Sequence, residues 1–191
     1  MILVFATNNN NKVIEIQALL NDKIKIASLS DINCLEDIPE TKDTIERNAS
    51  QKAIYVYERY QVNCFADDTG LEIEALGGRP GVLSARYAGE TRNAQDNINK
   101  VLDEMQGIQN RNACFKTVLS LIINGKETLF EGNVRGIILE KKRGNNGFGY
   151  DPIFQPLNYN LSFAEMDMEL KNKISHRGIA IGKLVRYLIS A

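Results

Sequence analysis

Met1-Ile2-Leu3-Val4-Phe5-Ala6-Thr7-Asn8-Asn9-Asn10-Asn11-Lys12-Val13-Ile14-Glu15-Ile16-Gln17-Ala18-Leu19-Leu20 reads as strand, polar turn, helix. Six apolar residues rich in β-formers suit a buried strand. They are too few for the apolar stretch of a signal peptide or a membrane span, and no basic segment precedes them. Thr7 and four asparagines end the run, and Val13, Ile16, Leu19 and Leu20 then share one helical face.

The same alternation continues along the chain. Residues 44–60 predict a second helix, with Ile45, Ala49, Ala53, Val56, Tyr57 and Tyr60 as its apolar stripe. Residues 62–66 predict a short strand that runs straight into Asp67-Asp68-Thr69-Gly70, the two aspartates at the strand end and Thr-Gly as the turn. A wet-faced strand follows, in which Leu71, Ile73 and Ala75 alternate with Glu72 and Glu74. Gly77-Gly78-Arg79-Pro80-Gly81 predicts a loop and residues 93–105 a helix. Two long strands, residues 115–123 and 128–139, flank Asn124-Gly125, a strong hairpin signal. A glycine-aromatic loop occupies residues 144–151, and residues 178–189 predict a final helix buried through Ile181, Leu184, Val185 and Leu188. Interleaved helices and strands with one long hairpin predict an α/β chain with a mixed sheet.

Bulk properties narrow the class. The 191 residues are 43% hydrophobic and 25% charged, ordinary globular values that exclude disordered and fibrous classes. With 23 basic and 24 acidic residues, the net charge of −1 argues against nucleic-acid binding by bulk electrostatics. A local basic pocket for one polyanionic small molecule stays open. Cys34, Cys64 and Cys114 are far apart and form no CxxC pair, which predicts buried thiols in a reducing compartment. A cytoplasmic protein without membrane or nucleic-acid partners is the expectation.

Four constellations bear chemistry. Thr7, Asn8, Asn9, Asn10, Asn11 and Lys12 place amides, a hydroxyl and an ammonium where a helix start presents free N–H groups. Such a turn either cradles phosphate or simply caps the helix. Glu40, Asp67, Asp68, Glu72 and Glu74 form an acidic set. Adjacent strand aspartates face opposite sides, and two carboxylates from separate segments suit Mg²⁺, with water and phosphate oxygens completing its shell. Asp68 could equally be a turn former. Gly147-Phe148-Gly149-Tyr150-Asp151-Pro152 offers either a stacking face for a planar base or an aromatic-anchored loop. Lys171, Ser175, His176 and Arg177 gather the only histidine with two cations just ahead of a helix, to cap it or to donate to a ligand. Without a second histidine or a cysteine pair, a zinc site is not expected. Phosphate donors, a carboxylate pair, a stacking loop and a polar reader together make an inventory for a nucleotide.

The chain resembles the inosine/xanthosine triphosphate pyrophosphatases from end to end. The resemblance rests on Ala6-Thr7-x-Asn9-x-x-Lys12 with Glu15, Glu40-Thr41, Asn48-Ala49-x-x-Lys52-Ala53 and Ala66-Asp67-Asp68-Thr69-Gly70-Leu71. It continues through Leu76-Gly77-Gly78, Pro80-Gly81, Ser84-Ala85-Arg86-Tyr87-Ala88-Gly89 and Gly147-Phe148-Gly149-Tyr150-Asp151-Pro152-Ile153-Phe154. It closes with Phe163-Ala164-Glu165-Met166, Lys171-Asn172 and Ser175-His176-Arg177.

That resemblance implies one pyrophosphatase domain over residues 1–191, built as a long mixed sheet with flanking helices and two lobes around an active-site groove. It also implies a homodimer that needs Mg²⁺ and hydrolyses non-standard purine nucleoside triphosphates to monophosphate and pyrophosphate. By position, Thr7, Asn8, Asn9, Asn10, Asn11 and Lys12 would hold the triphosphate, and Glu40 and Asp68 would be metal ligands. Asp68 would double as general base, with Thr69 beside it on the substrate. Phe148, Gly149, Tyr150, Asp151, Lys171, His176 and Arg177 match contacts to base and phosphate. Asn11 and Lys42 stand where glycines are usual, Ile45 where a phenylalanine is, and Arg47 where a glutamate is. Lys42 and Arg47 would add positive charge near the proposed metal ligands.

Overall fold

A computed structural model describes residues 2–20 and 24–190; Met1, assigned above to the first strand, lies outside the described residues. Strand β1 (Ile2–Phe5) leads through the asparagine turn into helix α1 (Asn10–Leu19) and returns as β2 (Lys25–Ala27). Helix α2 (Ile45–Tyr60) precedes β3 (Cys64–Ile73), β4 (Pro80–Gly81) and helix α3 (Ala94–Glu104). Strands β5 (Asn112–Ile123) and β6 (Lys126–Ile138) form the hairpin, followed by β7 (Phe154–Pro156), α4 (Met168–Ile174) and α5 (His176–Ser190). The described strands form one seven-stranded sheet in the order β2-β1-β3-β5-β6-β7, with β4 paired to β3. β1 runs parallel to β2 and β3, whereas β3–β4 and β6–β7 are antiparallel, so the sheet is mixed as expected.

The chain divides into two compact units. The first comprises Met1–Asp68, Thr117–Gly132 and Arg177–Ala191. Its core has two clusters, one around Leu3, Phe5, Ile16, Phe65, Leu119 and Leu184 and one around Val4, Ala53, Val56, Ala66 and Ile122. Phe5 and Phe65 stack across the β1–β3 ladder at 4.5 Å. The second unit comprises Thr69–Lys116 and Asn133–His176, packed around Leu71, Val101, Phe115, Phe154 and Phe163.

Caps fix the helix starts. Thr44 Oγ1 accepts from Arg47 N, and Asn93 Oδ1 accepts from Gln95 N and Asp96 N. Asn124 and Gly125, both at positive φ, make the hairpin turn, as the dipeptide predicts.

The largest departure from the sequence reading is β3. Residues 62–66 and 71–75 do not form two strands around a turn, because Asp67-Asp68-Thr69-Gly70 lies inside one continuous strand. β1 holds its first half through Val4↔Cys64 and Phe5↔Phe65, and β4 holds its far end through Leu71↔Gly81. Tertiary pairing therefore overrides the turn preference of Asp and Gly. The short β4 also replaces part of the expected loop at residues 77–81, while β7 and α4 had no clear sequence signal. Cys34 and Cys64 are buried thiols, as expected, but Cys114 is only half-buried. Burial pushes the Cys64 thiol up to about 12.

Candidate active site

At the start of α1 the polar turn folds onto itself. Asn9 Oδ1 accepts from Asn11 N at 3.0 Å and Lys12 N at 3.3 Å, and Asn9 N donates to Thr7 Oγ1 at 3.2 Å. Asn9 is thus the N-cap, while Asn8, Asn10 and Asn11 present their side chains to solvent. Lys12 turns inward and its Nζ donates to Asp67 Oδ1 at 2.9 Å.

Asp67 is fully buried, and its other oxygen lies 3.6 Å from Arg177 Nε. Arg177, also buried, pairs through Nη1 with Glu15 on α1. Lys12, Asp67, Arg177 and Glu15 thus form a chain of alternating charge. Burial alone would push the Asp67 carboxyl up, but Lys12, Arg177 and Lys52 outweigh it and hold Asp67 well below the usual carboxylate range. Burial also pulls the Lys12 ammonium down, and Asp67 offsets this only in part.

One residue on, the strand alternation sends Asp68 to different company. Lys52 of α2 pairs with Glu40 and lies 3.5 Å from Asp68 Oδ1. Asp68 Oδ2 is buried and has no hydrogen-bond partner among the described residues. Burial pushes the Asp68 carboxyl up, with Lys52 and Lys12 opposing. For Lys52 burial acts downward, but it has both Asp68 and Glu40 to offset it and ends above its ordinary value. Glu40 lies outside regular structure, and α2 fixes the residues beside it. Asn48 bonds both the N–H and C=O of Lys42, at 2.8 and 3.2 Å, and Gln51 bonds the N–H and hydroxyl of Thr41, each at 3.0 Å. Two carboxylates from separate segments, one with a buried oxygen to spare, fit a hard divalent ion such as Mg²⁺. No group of three or more metal-ligating His, Cys, Asp or Glu side chains occurs among the described residues.

Lys42 and Arg47 line a surface pocket of about 530 Å³ with Pro39, Ile54, Tyr55 and Glu58, and Arg47 pairs with Asp43 at 3.0 Å. Asp43 thus offsets the extra charge of Arg47 locally.

The second unit holds the aromatic loop. Asp151 Oδ2 accepts from Phe148 N at 2.8 Å and from Lys171 Nζ at 2.7 Å, and Lys171 Nζ sits 5.1 Å from the Phe148 ring centroid. A Cβ on Gly147, whose φ is +74°, would lie 2.1 Å from that same Asp151 oxygen, so the loop needs glycine there. Tyr150 offers no stacking face, contrary to expectation. Its ring is buried in the core and its hydroxyl donates to Ser84 O at 2.9 Å. His176 is likewise buried, stacked on Phe115 at 4.5 Å and 10°. Thr69 follows Asp68 in β3 and is half-buried.

A family model, that of the Ham1 family, matches residues 3–187. The chain belongs to the Ham1 family. It is 57% identical to the dITP/XTP pyrophosphatase of Flavobacterium johnsoniae over 188 residues, covering 98% of each chain. It is 51% identical to the dITP/XTP pyrophosphatase of Porphyromonas gingivalis over 190 residues, covering 99% of this chain and 98% of that one. Among solved structures, a HAM1 protein from Coxiella burnetii superposes with a TM-score of 0.93 at 38% identity over the whole of both chains. The Ham1 protein of Staphylococcus aureus gives 0.91 at 36% identity, covering 100% of this chain and 99% of that one.

Within this Ham1 chain the sequence reading gave no role to Glu15 and Lys52, which help organise the first unit, and it named Asp67 only as one of the acidic set. A signal was present for Lys52, since it lies three residues after Ala49 and next to Ala53 on the apolar stripe of α2. A charge on such a face needs a buried partner. Glu15, between Ile14 and Ile16 on a short helix, offers no comparable pattern.

Proposed function

We propose that this Ham1-family chain hydrolyses non-standard purine nucleoside triphosphates (ITP, dITP and XTP) between the α and β phosphorus atoms, releasing monophosphate and pyrophosphate. The observation that carries the reading is the Glu40–Lys52–Asp68 cluster, with Lys52 and Asp68 buried, beside Lys12 at a helix start, in a chain 57% identical to a dITP/XTP pyrophosphatase.

Lys12 and the turn of Thr7, Asn8, Asn9, Asn10 and Asn11 hold the triphosphate. Asn9 serves by shaping the turn, because its side-chain oxygen is already engaged by two backbone amides. Glu40 and Asp68 would hold Mg²⁺, which would supply charge neutralisation for the phosphates and the leaving pyrophosphate. Asp68 accepts the proton of the attacking water. Thr69 contacts the substrate beside it. Phe148 stacks on the base, and Lys171 and Asp151 keep its loop in shape. Gly149 and Tyr150 contribute backbone contacts. His176 and Arg177 act at the start of α5, where N–H groups can donate to a 6-oxo acceptor that adenine lacks. A donor facing the adenine amino group would go unsatisfied, a mismatch that discriminates by ~10⁴-fold when buried.

Residues 1–191 act as one catalytic domain, and the working form is a cytoplasmic homodimer, which light scattering on the purified chain tests. The decisive assay incubates the protein with Mg²⁺ and inosine, xanthosine, uridine or adenosine triphosphate and measures pyrophosphate against orthophosphate. Pyrophosphate from the inosine and xanthosine forms is expected. Orthophosphate as product, or a preference for uridine triphosphate, would overturn the reading.

A further inference from the structure

Lys52 occupies an unusual place for a cation. It stands on the buried face of α2, its side chain is 6% exposed, and it touches both carboxylates assigned above to the metal. Its ammonium bonds Glu40 Oε1 and lies 3.5 Å from Asp68 Oδ1. Each carboxylate thus has one oxygen facing a fixed positive charge, and Asp68 Oδ2 is buried without a hydrogen-bond partner among the described residues. A bare divalent ion arriving at this pair meets a like charge a few ångströms away, in surroundings where water screens little. An ion that arrives on a polyphosphate meets a different balance. The phosphate oxygens bring negative charge that Lys52 and Lys12 can both face, so the repulsion is answered by the substrate itself.

We propose that Lys52 is an internal counter-ion that keeps Glu40 and Asp68 together until substrate arrives, and so makes divalent-metal binding dependent on the nucleotide. The inference rests on the assignment of Glu40 and Asp68 as metal ligands. In this role Lys52 is a positioning residue of the free protein. It sets the spacing of the two carboxylates and disfavours capture of a metal ion on its own.

The test measures Mn²⁺ binding to the full chain by electron paramagnetic resonance of the free ion, with and without a non-hydrolysable α,β-methylene inosine triphosphate. Without nucleotide, Lys52→Met should bind Mn²⁺ about tenfold or more tightly than the parent, since one buried like charge is gone. Lys52→Arg, which keeps the charge, should remain as weak as the parent, and Lys52→Gln serves if the methionine variant does not fold. With the analogue present the order should reverse, the parent binding more tightly than Lys52→Met. Adding Glu40→Gln to Lys52→Met should abolish the gain.

If Lys52→Met and Lys52→Gln bind Mn²⁺ no more tightly than the parent, the counter-ion role is overturned. Should Glu40→Gln still weaken nucleotide-supported binding in that case, only this proposal fails. Should Glu40→Gln change nothing in any background, the metal assignment fails with it.

Discussion

Asp67 and Asp68 are adjacent in the continuous strand β3 yet pair with different side chains, Asp67 with Lys12 and Arg177 and Asp68 with Lys52, while Lys12 and Lys52 act on both carboxyls. Asp68→Asn should abolish turnover while leaving the fold intact. Its folded-state carboxyl is raised, so whatever stability Asp68 contributes is fully present below its unfolded value near 4 and is lost as pH rises through the folded value. Metal-free Asp68→Asn should therefore melt no lower than the parent at pH 7, and any advantage should vanish by about pH 3. Asp67 has the opposite sign. Its depressed carboxyl contributes stability that is present above about pH 4 and lost as pH falls toward its folded value. Asp67→Asn leaves Lys12 and Arg177 short of a buried counter-charge, a loss of about 3–5 kcal/mol in comparable buried pairs. Thermal melts of the two variants side by side check both statements. Equal destabilisation would mean that the two carboxylates share one environment.

Two elements carry most of the proposed substrate contacts, and each depends on a local backbone device. In α1 the device is the Asn9 cap. Asn9→Ala removes the acceptor for Asn11 N and Lys12 N and should cost about 1 kcal/mol. If Asn9 only shapes the turn, KM should rise in Asn9→Ala and stay near the parent value in Asn9→Ser, which keeps a capping oxygen; equal rises would mean that the amide itself contacts substrate. In the aromatic loop the device is Gly147. An alanine there combines a positive φ with a 2.1 Å approach to an Asp151 oxygen already held by Lys171 and Phe148 N. Gly147→Ala should cost roughly 1–3 kcal/mol and raise KM for inosine triphosphate by displacing Phe148. A normal KM in that variant would remove Phe148 from base binding.

At the scale of the molecule, the proposed phosphate and metal residues fall in the first compact unit, and Thr69, the Phe148 loop, Lys171 and His176 fall in the second. The proposed contacts of each unit can be tested separately. Hydrogen exchange with the methylene analogue and Mg²⁺ should slow at residues 7–12 and around Asp68, and also at residues 148–151. At a hundredfold excess over Kd, binding should add about 2.7 kcal/mol to the stability of the whole chain. Protection confined to one unit would take the substrate contacts of the other away.

How much of this was legible in the residues differs by feature. The sequence by itself determined the helices α1, α2, α3 and α5, because each has an apolar stripe of helical period, and α2 and α3 also begin at capping residues, Thr44 and Asn93. It determined the hairpin, because Asn124-Gly125 supplies two positive φ angles at little cost. It determined the family through strings such as Gly147-Phe148-Gly149-Tyr150-Asp151-Pro152. Long-range pairing was needed to show that Thr69-Gly70 continues the strand after Asp67-Asp68, since β1 and β4 hold the two ends of β3. Only the tertiary structure joined Lys52 to Glu40 and Asp68, Glu15 to Arg177, and Tyr150 to Ser84. The reason is physical. Periodicity and turn chemistry act over a few residues along the chain. The pairing of buried charges depends on which side chains are carried into the same dry space, and for Glu15 and Arg177 those are 162 residues apart.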